Sequence, residues 1–308
     1  MDNDLRFTDK DGSCIARSNL VIAFFGKKQF AEIVDGARYC VDQYLKLLPK
    51  DALKWSVIGS ASGTHKPILE KSIARCRSML NVASARKKDI HFRLLGPEKY
   101  APDYSLVLNG RKEPSDEGFL DQASVIEMRF PAAYLDEIGE ESFVAFVVDL
   151  FEQIACDSGY ASFSLCYGKE SQYAKAGDHI APLAFRSHGF DIANNLFTSG
   201  FLGNHCRGAR WLTALSDDLI ADLGGVDALN DQVAAGVDLI TCAGGTVLRA
   251  GRSPEIGDVN RNAMTPLVES VAHAIEEVTY FGDKSLLPLF GQDLEKLDRW
   301  ERRFWIHS

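Results

Sequence analysis

No lysine or arginine occurs between Leu212 and Leu248. Phosphate binding needs cations, so this stretch is no nucleic-acid surface. The chain has no HExxH and no pair of cysteines at CxxC spacing. Its seven cysteines (14, 40, 76, 156, 166, 206 and 242) are irregularly placed, which suits neither a disulfide framework nor a metal comb. They read as small core residues of a reduced protein. No GxGxxG follows a strand, so a dinucleotide site has no support, and no cofactor is expected. The most apolar helix candidate, Phe143–Phe151, is short and carries Asp149, too little to span a bilayer. The opening MDNDLRFTDK holds no apolar core of signal-peptide length, which points to the cytoplasm.

What fills the cation-free stretch is acid: Asp217, Asp218, Asp222, Asp227, Asp231 and Asp238. Residues 211–308 carry 16 acidic against 8 basic side chains, so nearly all of the net charge of -9 sits in the last third. A field of one sign attracts a basic partner and repels nucleic acid. It suits a protein that meets another protein's DNA-binding surface. The plainer account is that such a charge keeps a soluble protein dispersed.

Periodicity gives the elements. Ser18–Phe25 reads as a strand. Phe30–Leu48 reads as a helix with one apolar face, and Trp55–Ile58 as a second strand. A helix is expected over Pro67–Leu80, then strands at His91–Leu95, Tyr104–Leu108 and Ser124–Phe130. Asn109-Gly110 is a hairpin signal, with a long return reaching Gly118. Glu140–Ala155 is the clearest helix and Tyr160–Tyr167 alternates as a strand. Pro182, Gly189 and Gly200 are expected to cut the following stretch into short pieces. Ala209–Leu215 is a short strand. Two short helices, Asp217–Leu223 and Val226–Asn230, are split by Gly224-Gly225. Leu239–Leu248 reads as one strand bent at its central glycines. Helices at Pro266–Glu277 and Asp293–Trp300, with Pro288 between them, end the chain.

Strands in batches with helices between them predict an α+β fold: a mixed or mainly antiparallel sheet packed with amphipathic helices. If there are two subdomains, the boundary belongs near 170–208, a stretch dense in Gly, His and Ser. Residues 18–280 are the expected main domain and 281–308 a C-terminal helical extension.

Candidate chemistry is thin. Gly59–Lys66 (GSASGTHK) has the glycines of a phosphate loop, but two residues separate Gly63 from Lys66 and Pro67 follows. The same run puts Ala61 where a serine elbow needs its nucleophile. His179 and His188 are nine apart, and the adjacent His205-Cys206 would point to opposite faces of a strand, so no metal site is expected. The basic run Lys66–Arg93 lacks interleaved aromatics and reads as a solvated face, or one opposing the acidic third. Gly257, Asp258, Asn260 and Arg261 form a polar loop. Its glycine supplies unusual φ, Asp258 and Asn260 can cap backbone N–H groups, and Arg261 or Arg210 is the expected partner of Asp258. No nucleophile or base accompanies it, so a structural role is expected. No catalytic constellation emerges, and the chain is read as a non-enzyme, an uncharacterised hydrolase being the rival reading.

One set of motifs carries a resemblance. Gly208-Ala-Arg-Trp211-Leu-Thr213 runs on through Leu215, Asp217 and Leu219 to Leu223-Gly224-Gly225. Gly244-Gly245, Leu248, Gly251, Pro254 and Gly257-Asp258-Val-Asn260-Arg261 follow. This series is similar to the type VI immunity proteins, over roughly residues 20 to 280. The resemblance implies a cytoplasmic protein that binds and neutralises a secreted effector toxin by occluding its active site or DNA-binding face. Effectors of that family include DNA-cleaving nucleases of the virus-type replication-repair class. A non-nuclease effector is the alternative. The expected contact residues are the six aspartates, and neither nucleic acid nor membrane is an expected partner.

Overall fold

The computed structural model describes residues 4–60, 62–113, 121–168 and 173–305. Twelve strands form one sheet. They are β1 (Arg6–Thr8), β2 (Cys14–Gly26), β3 (Trp55–Ile58), β4 (Lys66–Pro67), β5 (Ile90–Leu95) and β6 (Ser105–Gly110), then β7 (Ser124–Pro131), β8 (Ser158–Tyr167), β9 (Asp191–Ala193), β10 (Leu212–Ser216), β11 (Val237–Cys242) and β12 (Gly245–Ala250). The order across the sheet is β11-β12-β10-β8-β2-β7-β6-β5-β3-β4, with β1 added to β2 and β9 to β8. Among these twelve strands only the β8–β9 pairing is parallel. The expected α+β class with a mainly antiparallel sheet is the one found.

β2 lies at the centre and is buried at all 13 positions. Its near-continuous apolar run follows from cover on both faces. Leu20, Ile22 and Phe24 join the larger core with the helices Phe30–Leu47 and Glu140–Ile154. Val21, Ala23 and Phe25 belong to a smaller cluster on the other face, with Tyr160, Ala193 and Leu202. The two helices touch where a Cβ on Gly36 would stand 2.0 Å from the Gln153 carbonyl oxygen, so only glycine permits that approach. A third cluster lies under the acidic segment, where Leu219, Ile220 and Leu229 pack on Leu215, Leu248, Val268 and Val271.

Four local expectations need correction. Asn109 and Gly110 do not turn: they end β6, paired with His91 and Ile90. Gly110 is required there because the Phe30 ring would stand 2.4 Å from its Cβ. The return at 114–120 lies outside the described residues. Pro67 does not start a helix. It pairs with Trp55 in β4, and the helix begins at Glu70. Leu239–Leu248 is not one bent strand but the hairpin β11–β12, in which Cys242 faces Gly245 and Gly244 turns at φ +84°. Pro182 lies inside a continuous helix, Tyr173–Arg186, where it and Asp178, whose carbonyl loses its donor, are both exposed.

The C-terminal segment packs on the larger core through Leu286, Phe290, Leu297 and Trp300. Asp293 caps its last helix, Leu294–Glu301, by accepting from Glu295 N and Lys296 N. Six of the seven cysteines are buried and all are free. Among the described residues no helix is long and apolar enough to cross a membrane.

Candidate functional site

The six aspartates fall on three consecutive elements at one end of the sheet. Asp217, Asp218 and Asp222 lie on the helix Asp217–Asp222, Asp227 and Asp231 on Val226–Gln232, and Asp238 on the edge strand β11. All six are exposed. The buried leucines of both helices anchor them, and Ser216 caps the first by accepting from Leu219 N at 3.4 Å. The acidic residues of each first turn complement the helix dipole. Among the described residues none of the six forms an ion pair. Asp238 stands opposite Arg249 across the ladder, but that arginine gives its terminal nitrogens to Glu141 at 2.6 and 3.0 Å. The basic run does not oppose them either: Arg77 pairs with Asp42, and β3–β5 lie toward the far end of the sheet.

The polar loop is built as a lock. Gly257 has φ +72°, and Asp258 N donates to the Ala263 carbonyl at 2.7 Å. The Asp258 carboxylate is buried, accepts from Asn260 N at 3.2 Å, and is gripped by Arg186 through Nε at 3.0 Å and Nη2 at 2.6 Å. Arg261 stands at 3.6 Å, as expected, whereas Arg210 is engaged elsewhere. The hydrogen bonds from Arg186 hold the Asp258 carboxyl below its ordinary range. Asn260 and Arg261 themselves are exposed. Replacing Asp258 by Ala is expected to lower the melting temperature while effector binding per folded molecule stays near wild type. Unchanged melting with lost binding would place this loop in the contact surface.

A buried polar network lies behind β7 and β8. Asp191 is wholly buried between two arginines, accepting from Arg207 Nη1 and Arg210 Nη2 at 2.6 Å each. Arg207 also donates to the Tyr160 hydroxyl at 3.2 Å, and Asn195 links that hydroxyl to Glu127 through two 2.8 Å bonds. Glu127 in turn accepts from Arg129 Nε at 2.7 Å. Burial pushes the Tyr160 hydroxyl well above its ordinary value. Glu127 and Arg129 carry the network to a cleft, while Asp191, Arg207, Arg210 and Tyr160 are buried and joined to one another, which is the arrangement of an internal scaffold. The GARWLT motif is explained by it. Gly208 takes φ +89°, Arg210 reaches Asp191, Thr213 Oγ1 accepts from Arg210 N at 2.9 Å, and Trp211 stacks on Phe143 at 5.9 Å.

Sequence reasoning missed Asp191, Glu127, Arg129 and Asn195. The signal for two of them was present: Glu127 and Arg129 are charges two apart inside the apolar run SVIEMRF, hence on one face of a strand. That face floors a cleft of about 780 Å³ over β5, β6 and β7. Ser62–His65 of the glycine loop line its rim, while Ala61 lies outside the described residues. The histidines weighed as metal ligands are dispersed: His179 stacks on Phe7, His205 Nδ1 contacts the Leu202 carbonyl, and the His188 carbonyl accepts from Arg303. Among the described residues no three His, Cys, Asp or Glu side chains converge as a metal site.

The architecture is thus a wide, mainly antiparallel sheet with a scaffold of buried ion pairs and an acidic segment, 212–248, at one end that has no lysine or arginine. The chain belongs to the family described as TsiV, type VI immunity for VRR-NUC, which matches residues 38–304. It is therefore a type VI immunity protein by family. Its fold is similar to that of the T6SS protein PA0821 of Pseudomonas aeruginosa, with a TM-score of 0.80 and 19% identity over 99% of this chain and 88% of that one. No curated protein matches the sequence.

Proposed function

We propose that this chain binds a VRR-NUC nuclease effector in the cytoplasm and neutralises it by covering its basic DNA-binding surface or active site, without chemistry of its own. The observation that carries the reading is the set of six exposed aspartates, none in an ion pair among the described residues, on a segment with no cation. Family membership supplies the class of partner. A nuclease must present positive charge to phosphates, and a one-signed acidic surface competes for that charge. The cytoplasm is where such a nuclease would reach DNA. The scaffold around Asp191 supports binding over catalysis, because its titratable groups are buried and mutually paired.

The test is protection. The cognate nuclease is expressed in a sensitive host with and without this chain, and plasmid DNA is followed alongside growth. Co-expression is expected to restore growth and preserve intact DNA. Growth arrest and DNA loss that are identical in both cases would end the proposal. Restored growth in the presence of a toxin that leaves DNA intact would redirect it to a non-nuclease effector.

A further inference from the structure

The cleft over β5, β6 and β7 is of the size that holds small molecules, about 300–1,000 Å³. Lys99 and Arg129 are cationic side chains among its described lining residues. Among the described lining residues the one carboxylate, Glu127, is already matched by Arg129 Nε and Asn195 Nδ2. Among the described residues, Nε is the only atom of the Arg129 guanidinium with a hydrogen bond, so its two terminal nitrogens remain for a ligand. One further lining residue, Ser105, stands opposite Arg129 across the ladder and has a buried hydroxyl with no hydrogen-bond partner among the described residues. Buried hydroxyls are paired in nearly all folded proteins, and such exceptions call for an explanation. Flat rings complete the wall: Tyr100, Tyr173 and Phe197, the last 46% exposed.

We propose that this cleft binds a small aromatic oxyanion, a phosphate or carboxylate carried on a flat ring, of about mononucleotide size. The cations take the oxyanion, the rings take the planar part, and Ser105 gains the partner it lacks. The site stands apart from the acidic surface. β7 is five strands from β11, roughly 24 Å at the usual strand spacing. The inference therefore does not rest on the proposed contact with the effector.

Calorimetric titration of the full chain tests it, with adenosine 5′-monophosphate, thymidine 5′-monophosphate and 4-hydroxybenzoate as probes and adenosine and inorganic phosphate as half-ligand controls. At least one aromatic oxyanion is expected to bind with Kd of about 1 mM or tighter, and each half-ligand about tenfold more weakly. Binding of the monophosphates alone would assign a phosphate, and binding of 4-hydroxybenzoate alone a carboxylate. Ser105→Ala removes a hydroxyl that has no partner in the free protein. It is therefore expected to melt at the wild-type temperature or above it, yet to bind the probe several-fold more weakly. Lys99→Ala should weaken binding as well. No binding by any of the three probes at about ten times that concentration would overturn the inference. So would binding of adenosine equal to that of its monophosphate, or an affinity unchanged in both variants.

Discussion

Replacing Asp191 by Ala is expected to cost most of the stability of the fold. The carboxylate is wholly buried and is the one anion bonded to both Arg207 and Arg210, each at 2.6 Å. Its removal leaves two buried guanidinium groups facing each other without their counter-ion. Breaking a single buried pair costs about 3–5 kcal/mol, and here one substitution breaks two that share a partner. Native domains are stable by only about 5–15 kcal/mol in all, so the variant should unfold at low denaturant or fail to accumulate. Asp191→Asn keeps part of the hydrogen bonding and loses the charge, and should fall between. A melting curve for D191A within about 1 kcal/mol of wild type would show that the arginines find other anions.

The same group sets an acid limit. Burial by itself would raise the Asp191 carboxyl, but the charges of Arg207 and Arg210 outweigh it and hold the group well below the usual carboxylate range. Its folded value thus lies below its unfolded value, near pH 4. The stabilisation is complete above about pH 4 and is lost as pH falls from there through the folded value. Denaturant unfolding measured from neutral pH downward should show a steep decline below about pH 4. The decline should be shallower in D191N.

Much of this fold can be read from the amino-acid sequence, and what cannot has local causes. β2, the helix Glu140–Ile154 and the split pair of helices after Ser216 follow from periodicity and glycine placement, because burial on a known face fixes their pattern. The errors fall where a tertiary neighbour decides. Gly110 carries the signal of a turn but serves to admit the Phe30 ring. The glycines at 244 and 245 signal a bulge and a hairpin equally well, and only the pairing of Val237–Cys242 with Gly245–Ala250 separates them. The ion-pair scaffold was least legible. Asp191 sits in a three-residue strand, and its partners lie 16 and 19 positions away, a separation no helical or strand period announces. The acidic end was legible as composition, since exposed charge needs no tertiary context to be noticed. Which aspartates face a partner is a matter of shape that charge does not encode.

The combined substitution of Asp217, Asp218 and Asp222 by Asn is expected to slow association with the effector by tenfold or more at low salt, with a smaller change in dissociation. Exposed charges act mainly through the long-range field that guides encounter, and steering of this kind changes on-rates by about 10 to 1,000-fold. All three residues lie on one short helix and none has an ion-pair partner among the described residues, so neutralising them removes field without leaving an unpaired cation. Melting should therefore fall only slightly, through the lost helix-dipole complement of Asp217 and Asp218, which separates this effect from that of Asp191. The screening length shrinks as salt rises, so the wild-type rate should fall steeply between about 50 and 500 mM salt. The triple variant should give a flatter line that meets the wild-type one at the high end. Asp227, Asp231 and Asp238 tested the same way would show whether the field is shared along the edge or concentrated on the first helix. A wild-type rate indifferent to salt, and equal to that of the triple variant, would mean that the acidic end is not what the nuclease meets.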